Sequence, residues 1–263
     1  MADDGNRAVV FGTALTPAAC ARCTFRFLCF AEPLPSAYQV LLPLADPGRI
    51  RLRAGEFLFR ADELQRGVYA IKAGFLKRCM PLPNAPGKIV GFHTMGSVLG
   101  LDSLGAATHQ SHAIAMNSCE VCVIPLDKFE QALAEPLQAK FLRQLQAEEI
   151  AAAETHAAVI GSLSAKQRVA TFLLDMSSCW EEQGYSKREF MLFMSRKEIG
   201  NFLGLTFETV SRTLSYFHAR DWIRVKGKNV LIRDMPALRM QLARPLAAEG
   251  SIGAVDPGSG DRD

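Results

Sequence analysis

No apolar run in this 263-residue chain approaches the 18 or so residues a helix needs to cross a bilayer, which excludes a membrane-spanning helix. The first ten residues, MADDGNRAVV, lack the basic-then-apolar layout of a secretory leader. The expectation is a cytoplasmic protein with reduced thiols and no membrane partner. Catalytic signatures are missing too: there is no GxSxG, no GxxxxGK phosphate loop, no HExxH and no GxGxxG. The five histidines, His93, His109, His112, His156 and His218, are scattered, and each reads as an ordinary surface or core residue. These absences argue against an enzyme.

What is present is the composition of a folded protein, 49% hydrophobic and 22% charged, in a chain longer than one typical domain. From Ile50 to Cys122, short Val-, Ile-, Phe- and Leu-rich runs are punctuated by eight glycines, a grammar of strands and turns that suits an antiparallel barrel or roll. Gly67–Lys77 and Cys119–Pro125 read as strands, and the proline-rich Pro81–Lys88 reads as an exposed loop. From Leu137 to Ile160 proline and glycine vanish while Ala, Leu, Glu and Gln dominate, so one long helix is predicted. Two stripes run along it. One is Leu142, Leu145, Glu149, Ala152, His156, Val159 and Leu163; the other is Ile150, Ala153, Ala157 and Ile160. Either could be a coiled-coil seam, and either could pack on the same subunit.

Charge is unevenly spread. Residues 1–163 hold 15 basic and 15 acidic side chains, residues 164–244 hold 14 and 8, and residues 245–263 hold 1 and 4. The second of these segments therefore suits a polyanionic partner. Within it, Ser195 and Glu198 have capping-box spacing, Gly204 falls where a short helix must stop, and Thr206 caps a second helix. Cap, turn glycine and second cap in this order spell a helix-turn-helix, which places its second helix in the major groove of double-stranded DNA. Glu208, Ser211 and Arg212 share one face of that helix, and their chemistry suits base edges. Thr209, Thr213 and Lys197, with Lys226 and Lys228 on a short wing around Gly227, are candidates for phosphate contacts.

Seven cysteines occur, three of them crowded as Cys20, Cys23 and Cys29. That spacing lets one loop grip a thiophilic metal centre, with Arg22 and Arg26 favouring thiolates, and it does not separate zinc from an iron-sulfur cluster. Cys119 and Cys122 compete as fourth ligand. Three apart on a strand, they point to opposite faces.

The stretch SRKEIGNFLGLTFETVSRTL resembles the helix-turn-helix of the Crp/FNR superfamily of bacterial transcription regulators, and the likeness extends from about Cys20 to Met240. The resemblance implies an α+β fold: an N-terminal cyclic-nucleotide-binding-like β-roll, a long dimerisation helix and a C-terminal winged helix-turn-helix. It divides the chain into a cysteine-rich segment (1–34), the roll (35–134), the dimerisation helix (135–163), the DNA-binding domain (164–244) and a disordered tail (245–263). The pattern E-x-x-S-R at Glu208, Ser211 and Arg212 is that of FNR-type members, which implies a homodimer on a TTGAT-type inverted repeat. The CVIP motif matches the remote cluster cysteine of those members, so Cys20, Cys23, Cys29 and Cys122 would hold an oxygen-labile 4Fe-4S cluster. A structural zinc without oxygen sensing is the competing expectation. Cyclic nucleotide is not expected, since Leu101 stands where nucleotide-binding relatives carry a glutamate and Gly96–Met116 contains no arginine. The Pro81–Lys88 loop is the segment the resemblance points toward RNA polymerase.

Overall fold

The computed structural model describes residues 48–134 and 136–242. These divide into two compact units, one built from 48–156 with Phe193–Phe202 and the other from Ala157–Leu192 with 203–242. Cys20, Cys23, Cys29 and the tail 245–263 lie outside the described residues.

The alternating apolar runs form eight strands of the first unit: β1 (Gly48–Leu52), β2 (Phe57–Phe59), β3 (Gly67–Ala73), β4 (Phe75–Leu82), β5 (Ala85–Thr94), β6 (Val98–Leu99), β7 (His112–Ala115) and β8 (Cys119–Pro125). They pair antiparallel into two four-stranded sheets, in the orders β1-β8-β3-β6 and β2-β7-β4-β5. Residues from both sheets, among them Leu52, Tyr69, Leu76, Ala113 and Val121, share one buried cluster, as a roll requires.

Two expectations need correction. The run Gly67–Lys77 is not one strand, because Gly74 breaks it into β3 and β4. That glycine has φ +95°, and a Cβ on it would lie 2.5 Å from both the Cys119 sulfur and the Ser118 carbonyl oxygen. Only glycine fits there without displacing backbone. Likewise Pro81–Lys88, although exposed, is mostly strand: Leu82 pairs with Ala85, leaving Pro83 and Asn84 as the connection, with Asn84 at φ 58°.

Two helices complete this part of the chain, α1 (Leu126–Leu133) and α2 (Pro136–Ser162). Phe129 of α1 is buried with Val68, Leu101 and Ile124, and Leu142 and Leu145 of α2 pack against them. The first stripe of the long helix therefore begins inside its own subunit. Further along the same stripe, Glu149 bonds Arg78 of β4. The second stripe points outward: Ile150 is 60% exposed, and Ala153 and Ala157 are exposed with it.

The remaining elements are α3 (Ala165–Glu182), β9 (Glu189–Met191), α4 (Arg196–Leu203), α5 (Phe207–Ala219), β10 (Ile223–Lys226), β11 (Asn229–Ile232) and α6 (Met235–Leu242). In the second unit, α3 starts on a complete capping box between Ser164 and Gln167. Its apolar face buries Val169, Phe172 and Leu173, α5 buries Val210, Leu214 and Phe217, and α6 buries Leu238. The wing forms as its glycine turn predicts, with β10 antiparallel to β11 and Gly227 at φ +62°. A third strand, β9, joins β11 and was not foreseen.

Candidate nucleic-acid interface and thiol site

Each helix of the predicted motif begins as its sequence dictates. The Ser195 amide donates to Glu198 Oε2 at 2.8 Å and the Glu198 amide donates to Ser195 Oγ at 3.2 Å, so two orphan amides at the start of α4 are satisfied reciprocally. Gly204 takes φ +65° after the last residue of α4, the left-handed conformation that ends a helix. Thr206 Oγ1 then accepts from the Thr209 amide at 3.2 Å and starts α5.

On α5, Glu208 and Arg212 are exposed, four residues apart on one face. The Glu208 carboxyl is held below its ordinary pKa by a hydrogen bond from its own backbone amide and another from the Thr206 hydroxyl, with Arg212 adding in the same sense. It is therefore an anion at neutral pH, able to accept from a cytosine amino group, while Arg212 can donate to guanine. Ser211 lies on the same helix with its hydroxyl oxygen buried and lacking a hydrogen-bond partner.

The phosphate set changes. Thr213 is 5% exposed and its hydroxyl donates to the Thr209 carbonyl at 2.8 Å, so it belongs to the core rather than to a phosphate. Thr209 spends its hydroxyl on a 3.1 Å bond with Thr206. Lys197, Lys226 and Lys228 are all exposed. One residue was overlooked. Phe207, the first residue of α5, is 50% exposed beside Glu208. A phenyl ring left in water at the start of a groove helix was the available signal, because thymine methyl groups are apolar targets there.

The motif and the two-sheet roll together match known proteins. A cyclic nucleotide-binding domain model matches residues 49–135, and a Crp-like helix-turn-helix domain model matches residues 167–240. The transcriptional regulatory protein btr of Bordetella pertussis is 35% identical over 227 residues, covering 86% of this chain and 93% of that one. The chain belongs to the Crp/FNR family of transcription regulators. Two further relatives in the family are the transcriptional activator protein Anr of Pseudomonas protegens, 35% identical with 70% and 75% covered, and the fumarate and nitrate reduction regulatory protein of Escherichia coli, 33% identical with 71% and 75% covered. Among solved structures, FixK2 from Bradyrhizobium japonicum aligns with TM-score 0.70 at 30% identity, covering 76% of this chain and 98% of FixK2. Like the family, this chain is a DNA-binding transcription regulator and not an enzyme.

The cysteines of β8 separate cleanly. Cys119 lies on the inner face in the roll core with Val121, and its sulfur donates to the Phe75 and Asn117 carbonyl oxygens at 3.3 and 3.4 Å. Burial pushes its thiol pKa up, against smaller opposing effects of backbone hydrogen bonds. Cys122, 4% exposed, sits on the other face of the strand with Glu120 and Ile124. Directly opposite it on β1 is Arg49, which also bonds Glu120 at 3.0 Å. Among the described residues no three His, Cys, Asp or Glu side chains form a metal site, and Cys122 is the one described member of the predicted set.

The turn within the matched cyclic nucleotide-binding domain that follows β6 is tied down by the protein's own groups. Gly100 has φ 90° and leads into a short 3-10 turn, Leu101–Ser103. Leu101 is 7% exposed, turned into the core. Asp102 accepts from the Ser111 hydroxyl at 3.1 Å, and Arg78 approaches it at 3.5 Å. An arginine thus does reach this turn, from β4, but two carboxylates already claim it.

Proposed function

We propose that this regulator responds to oxygen through a 4Fe-4S cluster held by Cys20, Cys23, Cys29 and Cys122, and that its homodimer reads a TTGAT-type inverted repeat. The reading rests on the division between the two thiols of β8: Cys119 faces the roll core and donates to the Phe75 and Asn117 carbonyl oxygens, while Cys122 lies on the opposite face of the strand, in register with Arg49. When bound, such a cluster supplies an inorganic core that oxygen can oxidise. Each of the four cysteines would serve such a cluster as a thiolate ligand. Thiolates from 20–29 and from β8 would then be tied to one another across the sequence. The exposed Ile150, Ala153 and Ala157 stripe provides the seam for a second copy, and Glu208 and Arg212 of each copy face a half-site. Engagement of Arg78 by Asp102 and Glu149, and the carboxylate of Asp102 itself, support a roll that does not take a cyclic phosphate. The polymerase contact at the tip of the β4–β5 hairpin stays a part of this proposal.

The test is anaerobic purification with visible absorbance, iron and acid-labile sulfide measured per chain. About four irons and four sulfides, lost in Cys122→Ala and retained in Cys119→Ala, are the expected result. A colourless air-free protein, or one atom of zinc per chain, would overturn the cluster assignment.

A further inference from the structure

Two helix ends in the second unit converge on one side chain. Leu163 follows the last residue of α2, and Leu203 is the last residue of α4. The Arg168 guanidinium donates to both, from Nε to the Leu163 carbonyl oxygen at 2.8 Å and from Nη1 to the Leu203 carbonyl oxygen at 3.1 Å. Carbonyls at helix C-termini have no intrahelical donor and carry the negative end of the helix dipole, so a cation is favoured there. A guanidinium is a planar fork of fixed geometry and can serve two acceptors at a set separation, which a lysine ammonium cannot do with the same rigidity.

The neighbourhood is tight. Arg168 is on the first turn of α3, whose Ser164–Gln167 capping box leaves only Leu163 and Ser164 between α2 and α3. A Cβ built on Gly204, the turn glycine of the helix-turn-helix, would lie 3.6 Å from Arg168 Nη1 and 3.5 Å from Ile160 Cγ2. One side chain therefore joins the last turn of the long helix, the start of α3 and the turn that launches α5.

We infer that Arg168 is a positioning residue that fixes α5 to the end of the seam helix and so sets the spacing of half-sites the dimer accepts. It touches no DNA. Two groove helices on one dimer gain from each other only if both are in register, because the second contact is intramolecular and fails when the geometry does not fit. Loosening the joint should leave each single contact intact and spoil their coincidence. The inference rests on the dimeric DNA-binding reading and is independent of the cluster.

The experiment uses an inverted-repeat duplex that the parent protein itself selects from a random library. Derivatives carry one or two base pairs added or removed between the half-sites, and a further duplex carries one half-site alone. Arg168→Gln should bind the single half-site within about twofold of the parent, lose about tenfold or more on the full site, and show a flattened spacing preference. Arg168→Lys, which can keep one of the two bonds, should fall between. An unchanged spacing profile in either folded variant would overturn the inference. So would equal losses on half-site and full site together with a lowered melting temperature, the mark of a purely structural residue. If the parent selects only isolated half-sites, the dimer reading falls, and this inference falls with it.

Discussion

The Arg78 guanidinium on β4 bonds the Glu149 carboxylate on α2, tying together side chains 71 positions apart, while its other near neighbour is Asp102 at 3.5 Å. One cation thus serves two carboxylates, with 14% of the arginine side chain and 28% of the glutamate side chain exposed. The long helix is held to the roll here by charge, one turn beyond the apolar anchors Leu142 and Leu145.

Arg78→Ala should destabilise the fold by about 1–3 kcal/mol, below the range for a fully buried pair because water reaches part of this one. Glu149→Ala should cost less, since Asp102 still neutralises the arginine. In a urea-denaturation cycle the double variant should be less damaged than the two singles combined. Strict additivity would show that the pair contributes nothing to stability.

Acid should weaken the protein through His93. Burial, with Arg78 adding in the same direction, lowers its pKa to about 3, against 6.5 in an open chain. The unfolded state then binds a proton that the folded state refuses. Stability is at its full value above about pH 6.5 and falls toward pH 3, at up to about 1.4 kcal/mol per pH unit. Burial also lowers the pKa of His109 and His156, so they act in the same direction. Urea midpoints between pH 4.5 and 7.5 should decline more gently in His93→Gln; parallel curves would refute the assignment.

Phe207 should contribute to sequence preference. Replacing a contacted thymine by deoxyuridine removes only the methyl group, and the parent should lose about fourfold at one position, which corresponds to ~0.8 kcal/mol for one buried methyl. Phe207→Ala should be indifferent to that exchange while still binding. Equal sensitivity in both proteins would remove Phe207 from the reading set.

Ile150→Glu tests the seam. Because the side chain is 60% exposed in the single subunit, the melting temperature of the monomer should hardly move. A charge facing its own copy should shift sedimentation toward monomer and lower affinity for the full operator. A variant that remains dimeric would place the seam elsewhere.

The helix-turn-helix was legible because its determinants are local. Ser195 and Glu198 sit three apart, Gly204 must adopt positive φ, and Thr206 meets the amide three residues on. What the sequence left open depends on neighbours distant in the chain. Glu149 looks like a flaw in a seam until Arg78 arrives from another strand. Thr213 has the chemistry of a phosphate contact, but Val210, Leu214 and Phe217 mark the core side of α5, and Thr213 falls among them. Strand β9 is only three residues long and gains its identity from pairing with β11, which no local pattern encodes.

The opposed sulfurs of β8 constrain how this strand can change over time. A one-residue insertion or deletion early in the strand would exchange its two faces, turning the committed thiol away from the roll core and Cys122 toward it. Length variation in this strand is therefore tolerable only in even steps, and odd ones have to be absorbed in the turn around Asn117.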